Sequence, residues 1–194
     1  MTHDRSVALR MLILAFLCIA LALSACSNGA GTGNGDDIDW DVTLTGVDGE
    51  GEVVLSFDDL VAMPFYEGWG GFFTTVGVVN GPFRAGGVLL EDVCALVGGV
   101  GPEDLVRVSA PDGYSMVFSY SQLNGDFVTH EPSTMKEVEH GDLDVILMYE
   151  QDGQPLPEES GSPLRVAIVG EDEVLTEGHY WVKWVVKIEV LNFD

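Results

Sequence analysis

Positive charge is scarce in this 194-residue chain: eight lysines and arginines face 32 aspartates and glutamates, a formal net charge of −24. Phosphate backbones and anionic lipid headgroups are held by basic faces, so nucleic acid is excluded as a partner and so is an electrostatic grip on a membrane. The acidity itself fits a salty habitat or the ordinary solvated surface of an exported protein. Cysteine is scarcer still, with only Cys18, Cys26 and Cys94. Cys18 falls inside an apolar leader and Cys26 at its end, so Cys94 alone is left in the body of the chain and the mature protein has no intramolecular disulfide. A Gly-x-Ser-x-Gly elbow, a thiol with a positioned base and an internal repeat are all missing, which removes the common nucleophilic hydrolases.

What is present begins with an export signal. Arg5 and Arg10 precede the apolar residues 11–23, a stretch too short to span a bilayer comfortably. It ends in Leu23-Ser24-Ala25-Cys26, which reads as a bacterial lipobox, with cleavage before Cys26 and a diacylglyceryl group on its thiol. The expected organisation is a signal peptide over residues 1–25, a lipidated Cys26 with a flexible tether over 26–40, and one globular domain over 41–194. The tether is rich in Gly, Ser and Asn. Its glycines follow no strand and open no helix, so they do not form a phosphate loop. Around Arg5 the chain lacks the paired arginines of a twin-arginine signal, which points to export through Sec in an unfolded state. A chain exported unfolded carries no cofactor inserted beforehand. The expected location is the extracytoplasmic face of the cell membrane, with the membrane as partner through the lipid on Cys26.

In the domain, residues 42–46 and 53–56 read as adjacent strands around a turn. Ser56, with Asp59 three residues later, marks a helix start, and Pro64 ends that turn. Residues 72–79 are apolar and β-branched enough for a strand buried on both faces. Leu89, Leu90, Val93, Leu96 and Val97 recur at helical spacing and predict a second helix. Residues 105–108 and 114–118 read as strands around Pro111-Asp112-Gly113, residues 124–142 as a long loop, and 145–149, 164–169 and 182–191 as further strands. The expected class is α+β, a mixed β-sheet with short helices.

From about Asp41 onward this order of pieces resembles the sulfite-oxidase-type molybdopterin-binding domain family. The resemblance is carried by Gly46-Val47, Leu55-Ser56-Phe57-Asp58-Asp59-Leu60, Gly87-Val88-Leu89-Leu90-Glu91-Asp92-Val93, Asp112-Gly113-Tyr114, Gly153-Gln154-Pro155-Leu156, the run Gly161-Ser162-Pro163-Leu164-Arg165 and Lys183-Trp184. It implies that Arg165 helps bind an anionic pterin phosphate, a task suited to a guanidinium fork, with Lys183 in a similar late basic position. Tyr114 and His179 are candidates to line the same cleft. An ion pair between Arg165 and one of the many carboxylates is the alternative reading. In the family's enzymes a cysteine thiolate ligates molybdenum just before the second helix. The corresponding stretch here, residues 74–80, carries Gly77 and no cysteine, and Cys94 is expected to be a buried apolar packer inside the helix.

His130-Glu131 and Glu139-His140 flank the long loop but match no short metal motif. Phe65, Tyr66, Trp69, Phe72 and Phe73 are expected in the core, with the wall of an apolar pocket as the other possibility. No catalytic residue and no metal site are assigned. The expected function is a lipid-anchored binding or accessory module with a molybdopterin-domain fold, no cofactor and no molybdenum redox chemistry, taking a small anionic ligand or a protein partner. The alternative is a molybdopterin-dependent oxidoreductase of the sulfite oxidase family.

Overall fold

The computed structural model of the protein describes residues 38–49 and 51–192. The leader, Cys26 and most of the tether lie outside the described residues. In chain order the main elements are β1 (Asp41–Thr45), β2 (Val53–Ser56), α1 (Phe57–Val61), β3 (Phe65–Phe73), β4 (Val79–Leu89) and α2 (Leu90–Ala95). There follow β5 (Asp104–Ser109), β6 (Ser115–Ser119), α3 (Tyr120–Leu123), the two-residue strands β7 (Thr129–His130) and β8 (Glu137–Val138), and β9 (Leu143–Gln151). The chain closes with β10 (Gln154–Pro155), β11 (Arg165–Gly170), β12 (Thr176–Glu177) and β13 (Lys187–Asn192). Among the described residues no helix is long and apolar enough to cross a membrane.

The first sheet has the order β2-β1-β13-β5-β6, with β1 and β13 parallel and the other pairs antiparallel. Its strands alternate: Val42 and Leu44, Val106 and Val108, and Ile188 and Val190 point inward while their neighbours face solvent. This is the pattern of a sheet with one covered face. In the second sheet β3 pairs with β4, β4 with β9, β9 with β11, and β11 with β3, so four strands close a circuit of hydrogen-bonded pairs. All six residues of β11 are buried, as expected for a strand covered on both sides. A bulge between Gly86 and Gly87 lets β4 bend onto β9. A Cβ on Gly87 would lie 2.0 Å from the Leu147 carbonyl oxygen, so only glycine fits there. Buried side chains of both sheets join in one core.

The helices are single turns that seal strand ends, so the molecule is mostly β rather than a balanced α+β. At α1 the capping box is complete: Asp59 N donates to Ser56 Oγ at 3.2 Å and Ser56 N donates to Asp59 Oδ2 at 2.9 Å. Such a cap stabilises by about 1 kcal/mol, and it aims the fully buried Leu60 at the core. The second helix stops at Ala95, leaving Leu96 half exposed, because Gly98 and Gly99 take positive φ and end the turn. The expected strand over residues 72–79 is not one element. β3 ends at Phe73, residues 74–78 form an exposed turn, and β4 starts at Val79. Gly77 supplies the turn that β-branched neighbours alone do not announce. The 124–142 loop holds the small β7–β8 hairpin, and of 182–191 only the part from Lys187 onward is a strand.

Candidate functional site

Arg165 opens β11 and Lys183 lies on the segment that leads to β13. The two residues pair across an isolated antiparallel bridge, flanked by Val166 N to Val182 O at 2.8 Å and Val185 N to Leu164 O at 3.1 Å. Directly paired residues of an antiparallel bridge send their side chains to the same face, so two of the chain's few cations stand side by side. Phe72, near the end of β3, and Trp181 flank the guanidinium, their ring centroids 4.9 Å and 5.2 Å from the Arg165 Cζ. Trp181 is itself fixed by its indole N–H, which donates to Thr176 Oγ1 at 2.8 Å.

These residues line a cleft of about 230 Å³, completed by Ala110, Asp112, Tyr114, Gly178 and Trp184. Arg165 is 3 % exposed. Its Nη1 donates to Ser160 O at 2.8 Å and its Nη2 to Trp181 O at 3.2 Å, while Nε is buried without a partner. No carboxylate of the described residues pairs with it. Burial without a counter-charge pulls the guanidinium down to about 10. The Lys183 ammonium donates to Glu159 O and lies 5.6 Å from the Trp184 ring centroid. It too is held below its ordinary value, by burial first and by the neighbouring Arg165 second, with Glu159 opposing. Trp184 has φ 54°, a left-handed conformation rare for a bulky residue, and such strain is typical of ligand sites.

Tyr114 also lines the cleft and its hydroxyl donates to the His179 carbonyl at 2.7 Å, so three of the four candidates line one cleft. His179 is not among the lining residues and is tied to them through its backbone carbonyl. Its ring faces outward, with Nδ1 3.0 Å from Glu177 Oε2. Sequence reasoning missed Trp181 as a wall of the site and placed Phe72 in the core, with a pocket wall as the other possibility. None of the aromatic cluster is fully buried: Phe65 is 52 % exposed, the other four are half-buried, and Phe72 reaches the cleft. The sequence held no signal for this pairing, because the burial of Arg165 and its lack of a carboxylate partner, which make aromatic faces necessary, arise only in the fold.

Other candidates lie elsewhere. Among the described residues no group of three His, Cys, Asp or Glu side chains could hold a metal, and neither His130 nor His140 belongs to one. A larger open depression of about 520 Å³ lies against β7 and β8, but His140 there has both ring nitrogens engaged, 2.6 Å from Gly141 O and 2.9 Å from Phe127 O. Gly77 sits in the exposed β3–β4 turn and is not among the residues lining the cleft, so that stretch presents no ligand position to it.

A family model described as the oxidoreductase molybdopterin binding domain matches residues 31–194. The chain belongs to this family. Among solved structures the fold is similar to the crystal structure of the sulfane dehydrogenase SoxCD from Paracoccus pantotrophus, with a TM-score of 0.61 and 18 % identity over 84 % of this chain. The match covers 41 % of the SoxCD chain, so this protein spans about two fifths of that chain's length. Among curated proteins no relative matches.

The family's cofactor has an anionic phosphate and a metal, and the residues here suit the two parts unequally. The free Arg165 Nε and the Lys183 ammonium are appropriate donors for a phosphate. A thiolate for a metal is not offered in the cleft by the described residues. Cys94, the free cysteine among them, is fully buried in α2, and burial followed by Glu91 pushes its thiol up to about 12.

Proposed function

We propose that this protein is a lipid-anchored, extracytoplasmic binding module on the molybdopterin-domain fold that holds a small anionic ligand, or a partner's carboxylate, at Arg165 and Lys183. Molybdenum redox catalysis is not its activity. The observation that carries this reading is the buried Arg165 guanidinium, which lines the cleft with carbonyl partners and aromatic faces but, among the described residues, no carboxylate, and whose Nε is buried unpaired. A buried cation without a counter-charge is costly, and an incoming anion recovers that cost. The lack of a thiolate in the cleft supports the non-redox part, as does the Sec-type leader.

The alternative is a molybdopterin-dependent oxidoreductase of the sulfite oxidase family whose metal takes no protein thiolate. It is favoured by the family match over residues 31–194 and by the survival of both cations at positions that resemble the family's pterin-phosphate contacts. Molybdenum and pterin content of the full chain purified from native membranes separates the two. The module reading expects neither in stoichiometric amount, together with saturable binding of inorganic phosphate by calorimetry. Near-stoichiometric cofactor would overturn it.

A further inference from the structure

The chain carries an exposed apolar surface that, among the described residues, shares no lining residue with the cleft. Val61-Ala62-Met63-Pro64-Phe65, between α1 and β3, is five residues without a charge, and Val61 and Phe65 are 45 % and 52 % exposed. Phe65 packs on Tyr149, with ring centroids 6.2 Å apart, and Phe57 meets the same ring edge-on at 5.8 Å. A groove of about 190 Å³ adjoins them, lined mostly by apolar residues, among them Ile38, Phe57, Val61, Tyr149 and Leu156, with Glu150 as the one charged lining residue among those described. Apolar surface of this continuity, in a chain with 32 acidic residues, marks a contact surface rather than scattered exposure.

The occupant is indicated by where the chain leads. Ile38 is both a wall of the groove and the first described residue, fixed beside α1 by Trp40 N to Ile38 O and Phe57 N to Trp40 O, each 2.9 Å. It stands twelve residues after Cys26. Twelve residues cannot span more than about 43 Å even when fully extended. A lipid on Cys26 would therefore hold this apolar surface at the bilayer at high effective concentration. We propose that the Val61–Phe65 loop and the groove beside Ile38 rest in the interfacial zone of the membrane that carries the anchor. The contact is apolar, by shallow insertion of Val61 and Phe65, because a chain of net charge −24 gains nothing from headgroup charge. This rests on the anchoring part of the proposed function.

The test uses the full chain, with Cys26 acylation checked by mass spectrometry, in vesicles of neutral phosphatidylcholine containing nitroxide-labelled acyl chains. A fluorophore is placed on Val61→Cys and, in a second protein, on Val76→Cys. Val76 is 83 % exposed in the β3–β4 turn, at the far end of β3 and on the order of 25 Å along the strand from Phe65. Buried Cys94 stays unlabelled in both. Position 61 should be quenched by the labelled lipid and position 76 should not, and adding Phe65→Asp should cut the quenching at 61 by about half or more. Equal, weak quenching at both sites of an acylated protein would overturn the membrane contact while leaving the anchor intact. A blue shift at 61 that grows with protein concentration and ignores the nitroxide would also overturn it, in favour of a second copy. An unacylated Cys26 would remove the anchoring reading and this proposal together.

Discussion

Two pairs of cations in this molecule are treated in opposite ways. On the first sheet Arg107 Nε and Lys187 Nζ each reach Glu189 at 2.8 Å, so two positive charges share one carboxylate at the surface. In the cleft Arg165 and Lys183 face carbonyl oxygens and aromatic rings. With 32 acidic residues available, an ion pair was within easy reach of either place. The first arrangement is offset, since a carboxylate balances the positive charges and solvent reaches the donors left over. The second has donor capacity left over in a concave, partly dry setting, where a charge-assisted hydrogen bond is worth most.

The sharpest way to break the comparison is Arg165→Met. Phosphate affinity by calorimetry should fall about 100-fold, since hydrogen bonds to charged groups contribute about 1.5–3 kcal/mol each. Thermal stability should hold or rise, because an apolar side chain of similar length replaces an uncompensated buried charge. A stable variant that still binds phosphate would show that the cleft is not the anion site.

Gly161→Ala tests the geometry of the same pair. Gly161 has φ +104°, and a Cβ there would lie 2.8 Å from both Cβ and Cγ of Lys183. Strain of this kind costs about 1–3 kcal/mol, and displacement of Lys183 should weaken phosphate binding by roughly tenfold, about half the logarithmic loss of the arginine change. Both read out in one melting and titration series.

On the sheet, Glu189→Gln should cost about 1 kcal/mol at neutral pH, leaving phosphate binding unchanged. Hydrogen bonding to Arg107 leads the causes that hold the Glu189 carboxyl at about 2, against an ordinary 4.5. A carboxylate lowered in the folded state stabilises fully above its unfolded value and loses that stabilisation as pH falls toward 2. Denaturation curves of wild type and variant should therefore converge in acid. Convergence at alkaline pH instead would mean that Glu189 acts by packing. The smallest effect belongs to Arg107→Met, under about 1 kcal/mol, because its side chain is 40 % exposed and solvent screens the pair.

Local chemistry was readable wherever it acts between near neighbours. The Ser56–Asp59 cap and the two strands around the 111–113 turn follow from residues a few positions apart, and the fold agrees with them. Reading failed where a distant partner decides. The run 72–79 looks like one buried strand, yet its middle is a solvent-exposed turn, because β4 must fold back along β3 to reach β9. The aromatic cluster looks like core, yet it lies half-buried on β3, with Phe72 turned to the guanidinium.

Residue pattern alone carried the mixed sheet with short helices, though not how far the fold leans to β, together with the family resemblance from about Asp41 onward and the two cations to follow in so acidic a chain. The burial of Cys94 was legible as well, but the folded chain alone decided that those two cations have no carboxylate partner among the described residues and that Tyr114 reaches the backbone of His179. The reason is physical: a residue's type states which charge it carries and which bonds it can make. Which groups remain unsatisfied depends on what the folded chain brings within about 3 Å of it.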